Sequence, residues 1–370
     1  MLPAQSRRSF ILSASASAVG ILGSSATSFA ANETINVGVI GSGGRARHLL
    51  KSLVKIDGVR VTDLCDVWDV SLDEANKQLD GKAKTCKNYK ELLDRKEVNA
   101  VLIGSPDHWH VPLTVAACEA KKDVYVEKPL THDLSEGKAV IDAQNRHQRI
   151  VQVGTQQRSM PHIIEAKKLV EAGKVGKVLK VHMSWNRNTN RVQRFKLGVD
   201  PKSVDWAMFL GSAKKQEFDE YRFRNWRWFW DFGGGIFTDL MVHWVDVAHF
   251  VLNLNAPEKA VSLGEFVNAK DVWETPDTVQ TLLSYPGGVQ MHFEGTFSNA
   301  RLGAMIEFMG TEATLYIDRG RYEIIPERNK KVEPSEMVLG TGPKGQDFYD
   351  KPDGELLHLT NWIDSVRTRK

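Results

Sequence analysis

Apolar and polar positions follow two rhythms along this chain, and the change falls near Gly154. Up to residue 153, short runs rich in valine, isoleucine and leucine recur at 35–40, 59–65, 99–103, 124–127 and 150–153, with a short strand also expected at 84–86. Each has the length of a buried strand. Between them Leu49, Leu50 and Leu53, then Leu92 and Leu93, then the segments 111–120 and 133–146 carry helical spacing. Strands apolar on both faces, alternating with helices, predict a parallel sheet covered on both sides. Beyond Gly154 a helix is expected at 160–172, a strand at 178–185 and a polar loop, suited to covering a site, at 186–194. After a helix at 236–252, strands at 260–267, 278–285, 289–296, 304–309, 315–318 and 321–325 follow without helices between them. Pro286-Gly287-Gly288 marks a hairpin turn. This half reads as an antiparallel sheet of the kind that covers a ligand or forms a subunit interface. Residues 330–353 read as loop and 356–367 as a last helix.

The first run leads directly into Gly41-Ser42-Gly43-Gly44-Arg45-Ala46, a strand, a glycine turn and the opening of a helix. That context is a pyrophosphate site: Gly41 makes the turn, Gly43 lets phosphates approach the backbone, and Ala46 keeps the helix close to the sheet. Free N–H groups and the positive end of the helix face the anion. Gly41, Ser42, Gly43, Gly44 and Arg45 are therefore candidate cofactor contacts. Asp66 ends the second strand about 25 residues past Gly41, near the spacing expected of a carboxylate that binds the adenosine ribose. A carboxylate there repels a 2′-phosphate and favours NAD over NADP. Asp63 and Asp69 stand nearby as rivals, and a helix cap is the plainer role.

Two further clusters carry chemistry. Glu127-Lys128-Pro129 follows a buried strand, and the proline restrains Lys128 to extended geometry. A lysine beside nicotinamide orients a hydroxyl and stabilises the alkoxide formed as hydride leaves; a salt bridge to Glu127 is the alternative. In the helix at 236–252, Asp239, His243 and Asp246 recur at i, i+4 and i+7 on one face. Imidazole takes a proton near neutral pH, and Asp239 can fix its tautomer or bind a neighbouring hydroxyl. A surface ion pair is the plainer reading. No third ligand or zinc motif accompanies them, so no metal is expected. The run from Tyr221 to Trp230 mixes aromatics with arginines, which suits a pyranose platform or packing at a domain junction. Without a wider basic surface it does not suggest nucleic acid.

Composition adds compartment and partners. Ser6-Arg7-Arg8-Ser9-Phe10-Ile11-Leu12, a mildly apolar segment and Ser28-Phe29-Ala30 read as a twin-arginine signal peptide over residues 1–30. The expectation is a bacterial protein exported folded to the periplasm by the twin-arginine machinery, with cofactor already aboard and no permanent membrane anchor. Removing Arg7 and Arg8 takes the formal charge of +3 down by two, which leaves no pull towards polyanions. Cys65, Cys86 and Cys118 have neither disulfide nor metal spacing.

Together these motifs resemble the glucose–fructose oxidoreductase/inositol dehydrogenase/rhizopine-catabolism (Gfo/Idh/MocA) family, in an exported twin-arginine branch. The resemblance rests on Gly41-Ser42-Gly43, Asp66, Ser105-Pro106-Asp107-His108-Trp109-His110, Glu127-Lys128-Pro129, Gly154-Thr155-Gln156-Gln157-Arg158 and Asp239-x-x-x-His243. It implies an α/β fold: a Rossmann-type dinucleotide domain at 31–155, then a substrate-binding α/β domain at 156–370. The open, mainly antiparallel sheet of the second domain would mediate homo-oligomers. Lys128 and His243 would be catalytic and Asp239 would bind and orient substrate. Ser105, His108, His110, Glu127 and Gln156 would lie on the cofactor side, and Arg158 near the substrate. The implied activity is NAD(H)-dependent oxidation of a sugar, polyol or glycoside hydroxyl, with NAD(H) tightly retained. Redox-neutral glycoside cleavage through a 3-keto intermediate is the enzymatic alternative, and a non-catalytic NAD/sugar-binding protein the other. Many exported relatives continue past Val366-Arg367-Thr368-Arg369-Lys370 with another helix.

Overall fold

The structure, a computed structural model, describes residues 34–189, 192–339 and 353–370. The twin-arginine segment and its cleavage site lie outside these residues. The first domain is built on six parallel strands, β1 (Ile35–Ile40), β2 (Val59–Cys65), β3 (Lys84–Cys86), β4 (Ala100–Ile103), β5 (Asp123–Val126) and β6 (Val151–Val153). Their order is β3-β2-β1-β4-β5-β6. The chain therefore changes direction between β1 and β4, where a crevice opens at the carboxyl ends of a doubly wound sheet. β4 and β5 are buried along their whole length, which is why they read as continuous apolar runs.

The core of this domain is completed from the far end of the chain. In the helix Gly354–Thr368, Leu359, Trp362, Ile363 and Val366 are all fully buried, and they pack with Ile35, Val37, Leu49, Leu50 and Tyr125. A cut at 155/156 assigns this helix to the second domain by sequence position. Its buried face places it in the first. Local periodicity reveals that such a helix has an apolar stripe, but not which sheet the stripe will meet.

The second domain carries eight strands: β7 (Val178–Asn186), β8 (Lys259–Glu265), β9 (Thr278–Ser284), β10 (Gln290–Thr296), β11 (Ala304–Gly310), β12 (Ala313–Asp318), β13 (Arg321–Pro326) and β14 (Ser335–Val338). They run in the order β14-β13-β12-β11-β7-β10-β9-β8, antiparallel except for the β7–β10 pair. Alternation along β9 buries Val279, Thr281 and Leu283 beneath the helices and leaves Leu282 on the open face. β14 lies inside the stretch expected to be loop. It is a short, solvent-facing edge strand whose residues show no apolar alternation, and pairing with β13 is what orders it. Residues 340–352 of that stretch are not described.

Between β7 and β8 the chain makes an excursion over residues 200–230 that docks on the first domain. Asp205 N donates to Val67 O at 2.8 Å, Trp68 and Val204 form an isolated antiparallel bridge, and Trp68 Nε1 donates to Ser203 Oγ at 3.1 Å. Phe209 O receives Trp109 Nε1 at 2.9 Å and faces His108 Nε2 at the same distance.

Candidate active site

Two adjoining cavities occupy the crevice. The first, of about 290 Å³, runs from the glycine turn to Asp66 and Trp68. Gly41 sits at φ +82°, and a Cβ there would lie 2.5 Å from Ser105 N, so this position requires glycine. Added Cβ atoms at Gly43 and Gly44 would meet nothing within 4 Å, which leaves the helix N-terminus open to a phosphate. Ala46 is fully buried, and its Cβ would lie 3.0 Å from a Cβ at Gly104, so the helix packs tightly against the sheet. At the other end Asp66 Oδ1 accepts from Trp68 N at 2.9 Å, and burial pushes the carboxyl up to about 6 against the pull of that bond.

The second cavity, of about 280 Å³, shares Arg45, Gly104, Ser105, Trp226 and Arg227 with the first. Here the two domains meet. Lys128, just past β5, donates from Nζ to Asp239 O at 2.8 Å and to Asp239 Oδ1 at 3.2 Å. Arg227 Nε donates to the same Oδ1 at 3.1 Å. Burial alone would raise the Asp239 carboxyl, but Lys128 and Arg227 hold it well below the usual carboxylate range. His243 lines this cavity, its ring 5.2 Å from that of Trp185. Burial, reinforced by Lys128 and opposed by Asp239, pushes its imidazolium form well below the ordinary histidine range. A half-buried lysine, an ionised carboxylate and a neutral imidazole therefore face one substrate-sized space.

Asp239 lies in a π-helical turn, Phe237–Met241, that runs into the α-helix Val242–Leu252. The wider turn breaks the single face that an i, i+4, i+7 spacing implies. Asp239 and His243 reach the second cavity, whereas Asp246 accepts a forked ion pair from Arg158, at 2.6–3.0 Å, in a separate groove behind Lys128 and Pro129. Arg158 thus serves the outer side of this helix and does not line the cavity with His243. The bonds of Asp239 go to Lys128 and Arg227 and not to His243, so Asp239 acts on the imidazole through its charge and sets no tautomer directly.

The remaining expected residues divide. Glu127 and Arg45 line the second cavity joined to each other at 2.9 Å, and Arg45 reaches on to Glu355 at 3.2 Å. His110 also lines it, with its two ring nitrogens 2.6 Å from Pro129 O and 3.0 Å from Ser105 O, and so ties two strand ends together. Ser105 Oγ and Gln156 Oε1 are buried with no hydrogen-bond partner among the described residues. They are ready for groups of a dinucleotide or its substrate. Ser42 is fully buried and donates to Cys65 O, so its side chain shapes the turn without facing the cavity. His108 lines neither cavity. It is buried between Phe209 and Phe232, and its imidazole is pushed down to about 4 by that burial.

Sequence reasoning missed Asp107, Trp185, Arg187, Arg319 and Glu355 as cavity residues. Arg187 falls in the polar stretch expected to cover a site. Arg319 comes from the β12–β13 hairpin and Glu355 from the last helix, where no local pattern marks them. The mixed run from Tyr221 to Trp230 serves three purposes at once. Tyr221, Trp228 and Phe229 enter the second-domain core, Phe223, Arg224, Trp226 and Arg227 wall the first cavity, and Trp230 is exposed. No group of three or more His, Cys, Asp or Glu residues able to hold a metal occurs among the described residues.

The glycine cradle, the Asp66 carboxylate at the strand end and the unpartnered Ser105 and Gln156 atoms fit a dinucleotide, and the match to known families agrees. The description "Oxidoreductase family, NAD-binding Rossmann fold" matches residues 35–155, and "GFO/IDH/MocA C-terminal domain" matches 163–316. The chain belongs to the Gfo/Idh/MocA oxidoreductase family. Among relatives, inositol 2-dehydrogenase of Salmonella paratyphi B is 29% identical over 163 residues, covering 44% of this chain and 47% of that protein. The chain thus matches about half the length of this relative. scyllo-Inositol 2-dehydrogenase (NAD(+)) of Bacillus subtilis is 24% identical over 341 residues, covering 91% and 87%. A solved levoglucosan dehydrogenase in complex with NADH and levoglucosan superposes with a TM-score of 0.70 at 18% identity, over 91% of this chain and 90% of that one. The myo-inositol 2-dehydrogenase of Lactobacillus plantarum does so with 0.67 at 22%, over 91% of each. At these identities the superpositions establish the Gfo/Idh/MocA fold, and the NAD-binding assignment rests on the family match to the first domain.

Proposed function

We propose that this protein oxidises a hydroxyl group of a sugar, polyol or glycoside with NAD as acceptor. The observation that carries the reading is the meeting of Lys128, Asp239 and His243, from two domains, in a cavity contiguous with the glycine turn. Inositol and levoglucosan dehydrogenases among the relatives and structural neighbours support a polyhydroxylated substrate. NAD, when bound, supplies the hydride acceptor. Gly43, Gly44 and Asp66 would hold it, with Ser105 and Gln156 nearer the reacting end. His243, kept neutral, takes the hydroxyl proton on a ring nitrogen. Its depressed pKa keeps it deprotonated at neutral pH at some cost in basicity, and the Asp239 charge restores part of that. Lys128 stabilises the developing alkoxide, and its bond to Asp239 fixes the ammonium before substrate arrives.

The leader at residues 1–30 supports export in the folded state, with NAD(H) retained because free cofactor is scarce outside the cytoplasm. Val261, Leu263 and Leu282, exposed on the open sheet, support a homo-oligomer built on that face. The test is turnover on a panel of sugars, polyols and glycosides. Lys128→Ala and His243→Ala are each expected to lower turnover by about 10²–10⁴ with NADH binding largely kept. Wild-type turnover in both variants would overturn the assignment.

A further inference from the structure

The first cavity has a wall that a glycine turn and a ribose carboxylate do not account for. Opposite Gly43, Gly44 and Asp66 stand Met208, Phe209, Phe223, Arg224, Trp226 and Arg227, all from the second-domain excursion. The excursion is fastened on both sides of the cavity. At one side Ser203 Oγ holds Trp68 Nε1, and Phe223 packs edge-on to Trp68 at 5.6 Å. At the other, Phe209 O receives Trp109 Nε1, and Gly211 lies so close to the Trp109 ring that a Cβ there would come within 2.5 Å.

Four cations line this cavity, and three are engaged. Arg45 pairs with Glu127 and Glu355, Lys87 with Asp69 at 2.9 Å, and Arg227 with Asp239. The Arg224 side chain, exposed to solvent, makes no ion pair or hydrogen bond among the described residues. Its guanidinium lies over the Trp68 ring, 4.6 Å from the centroid, at the Asp66 end of the cavity. Desolvation and the neighbouring Arg47 lower its pKa, and Asp66 opposes them. A planar cation held on an aromatic face, its donors unspent, is suited to an anionic phosphate.

We propose that residues 203–227 form a cover over the dinucleotide in which Arg224 is a cofactor ligand from the second domain, acting on the adenosine–pyrophosphate half, and that the docking of this cover sets how fast the cofactor leaves. The inference rests on the NAD-linked reading above but not on its substrate. A cofactor bound between the turn and the excursion is released only when contacts such as Trp68–Ser203 open or the Arg224 contact breaks. Tight retention then follows from the walls of the cavity and needs no unusual glycine turn.

The test measures NADH release from the full-length protein by stopped-flow fluorescence, with excess unlabelled nucleotide as competitor. Arg224→Ala is expected to release NADH on the order of 10- to 100-fold faster, as for loss of a charge-assisted hydrogen bond. It should weaken ADP-ribose by a similar factor and leave reduced nicotinamide mononucleotide almost unaffected. Ser203→Ala, outside the cavity wall, loosens only the fastening and should speed release about 2- to 10-fold. If Arg224→Ala does not fold, Arg224→Lys, which keeps the charge without the fork, and Ser203→Ala carry the test. Parent-like release from the folded Arg224 variant and from Ser203→Ala would overturn the cover, as would equal weakening of the mononucleotide. Failure to oxidise any sugar or polyol, with release rates following the expected order, would overturn the substrate reading and leave the cover standing.

Discussion

At the scale of single residues, the proposed dinucleotide site makes Asp66 the group on which cofactor choice would turn. Its carboxyl, pushed up to about 6, carries its charge fully only above that pH. In the proposed site the negative charge would both accept from a ribose and repel a 2′-phosphate, so the preference for NADH over NADPH should relax as pH falls through about 6. Dissociation constants for both nucleotides, measured on stripped protein from pH 5 to 8, check this. Asp66→Asn should give a flatter profile, and an identical profile in parent and variant would remove Asp66 from the adenosine site. The place of Asp66 beside the first cavity was legible because strand end and spacing announce it. The places of Lys128 and His243 were legible for the same kind of reason, one just past a buried strand and the other on a helix, and both line the second cavity. The ion pair from Arg227 that helps hold Asp239 ionised was not legible, because Arg227 reaches Asp239 only after the excursion has folded back.

At the scale of elements, strands and crossover helices of the first half follow from apolar runs, and the second sheet from alternation. Two features do not. The π turn at Phe237–Met241 depends on how the glycine break is packed: Gly235 sits at φ +61°, where a Cβ would lie 2.5 Å from Thr275 Oγ1. The allegiance of the last helix depends on the surface it meets. Trp362 is fully buried against Tyr125, with ring centroids 5.6 Å apart. Trp362→Ala should destabilise the protein by about 3–5 kcal/mol, as large aromatic truncations in cores do. Urea unfolding followed in parallel with NADH binding checks it. The loss should fall on the nucleotide domain first, and an unchanged urea midpoint would contradict the buried role.

At the scale of the molecule, buried histidines bind stability to pH. Burial pushes His108 and His162 down to about 4 from the ordinary 6.5. The unfolded chain takes up these protons at 6.5 and the native one only near 4. Stability is therefore full above 6.5, falls as pH drops through the window, and levels off with respect to these groups below 4. Each contributes on the order of 3 kcal/mol across that window. Urea midpoints from pH 7 to 4 should fall steadily, and His162→Gln should reduce the slope by about one proton. Equal slopes would mean His162 titrates alike in both states.

The last helix also has a consequence for the order in which the molecule is made. Its residues Leu359, Trp362, Ile363 and Val366 finish a core begun at Ile35 and Val37. The ribosome delivers the strands of the second domain, β7 to β14, before it delivers that helix. A nascent chain at that stage holds the glycine turn without the helix that backs it, and Arg45 without Glu355. Capture of a dinucleotide at this turn is thus expected only after the helix Gly354–Thr368 has been made and has docked on the first sheet.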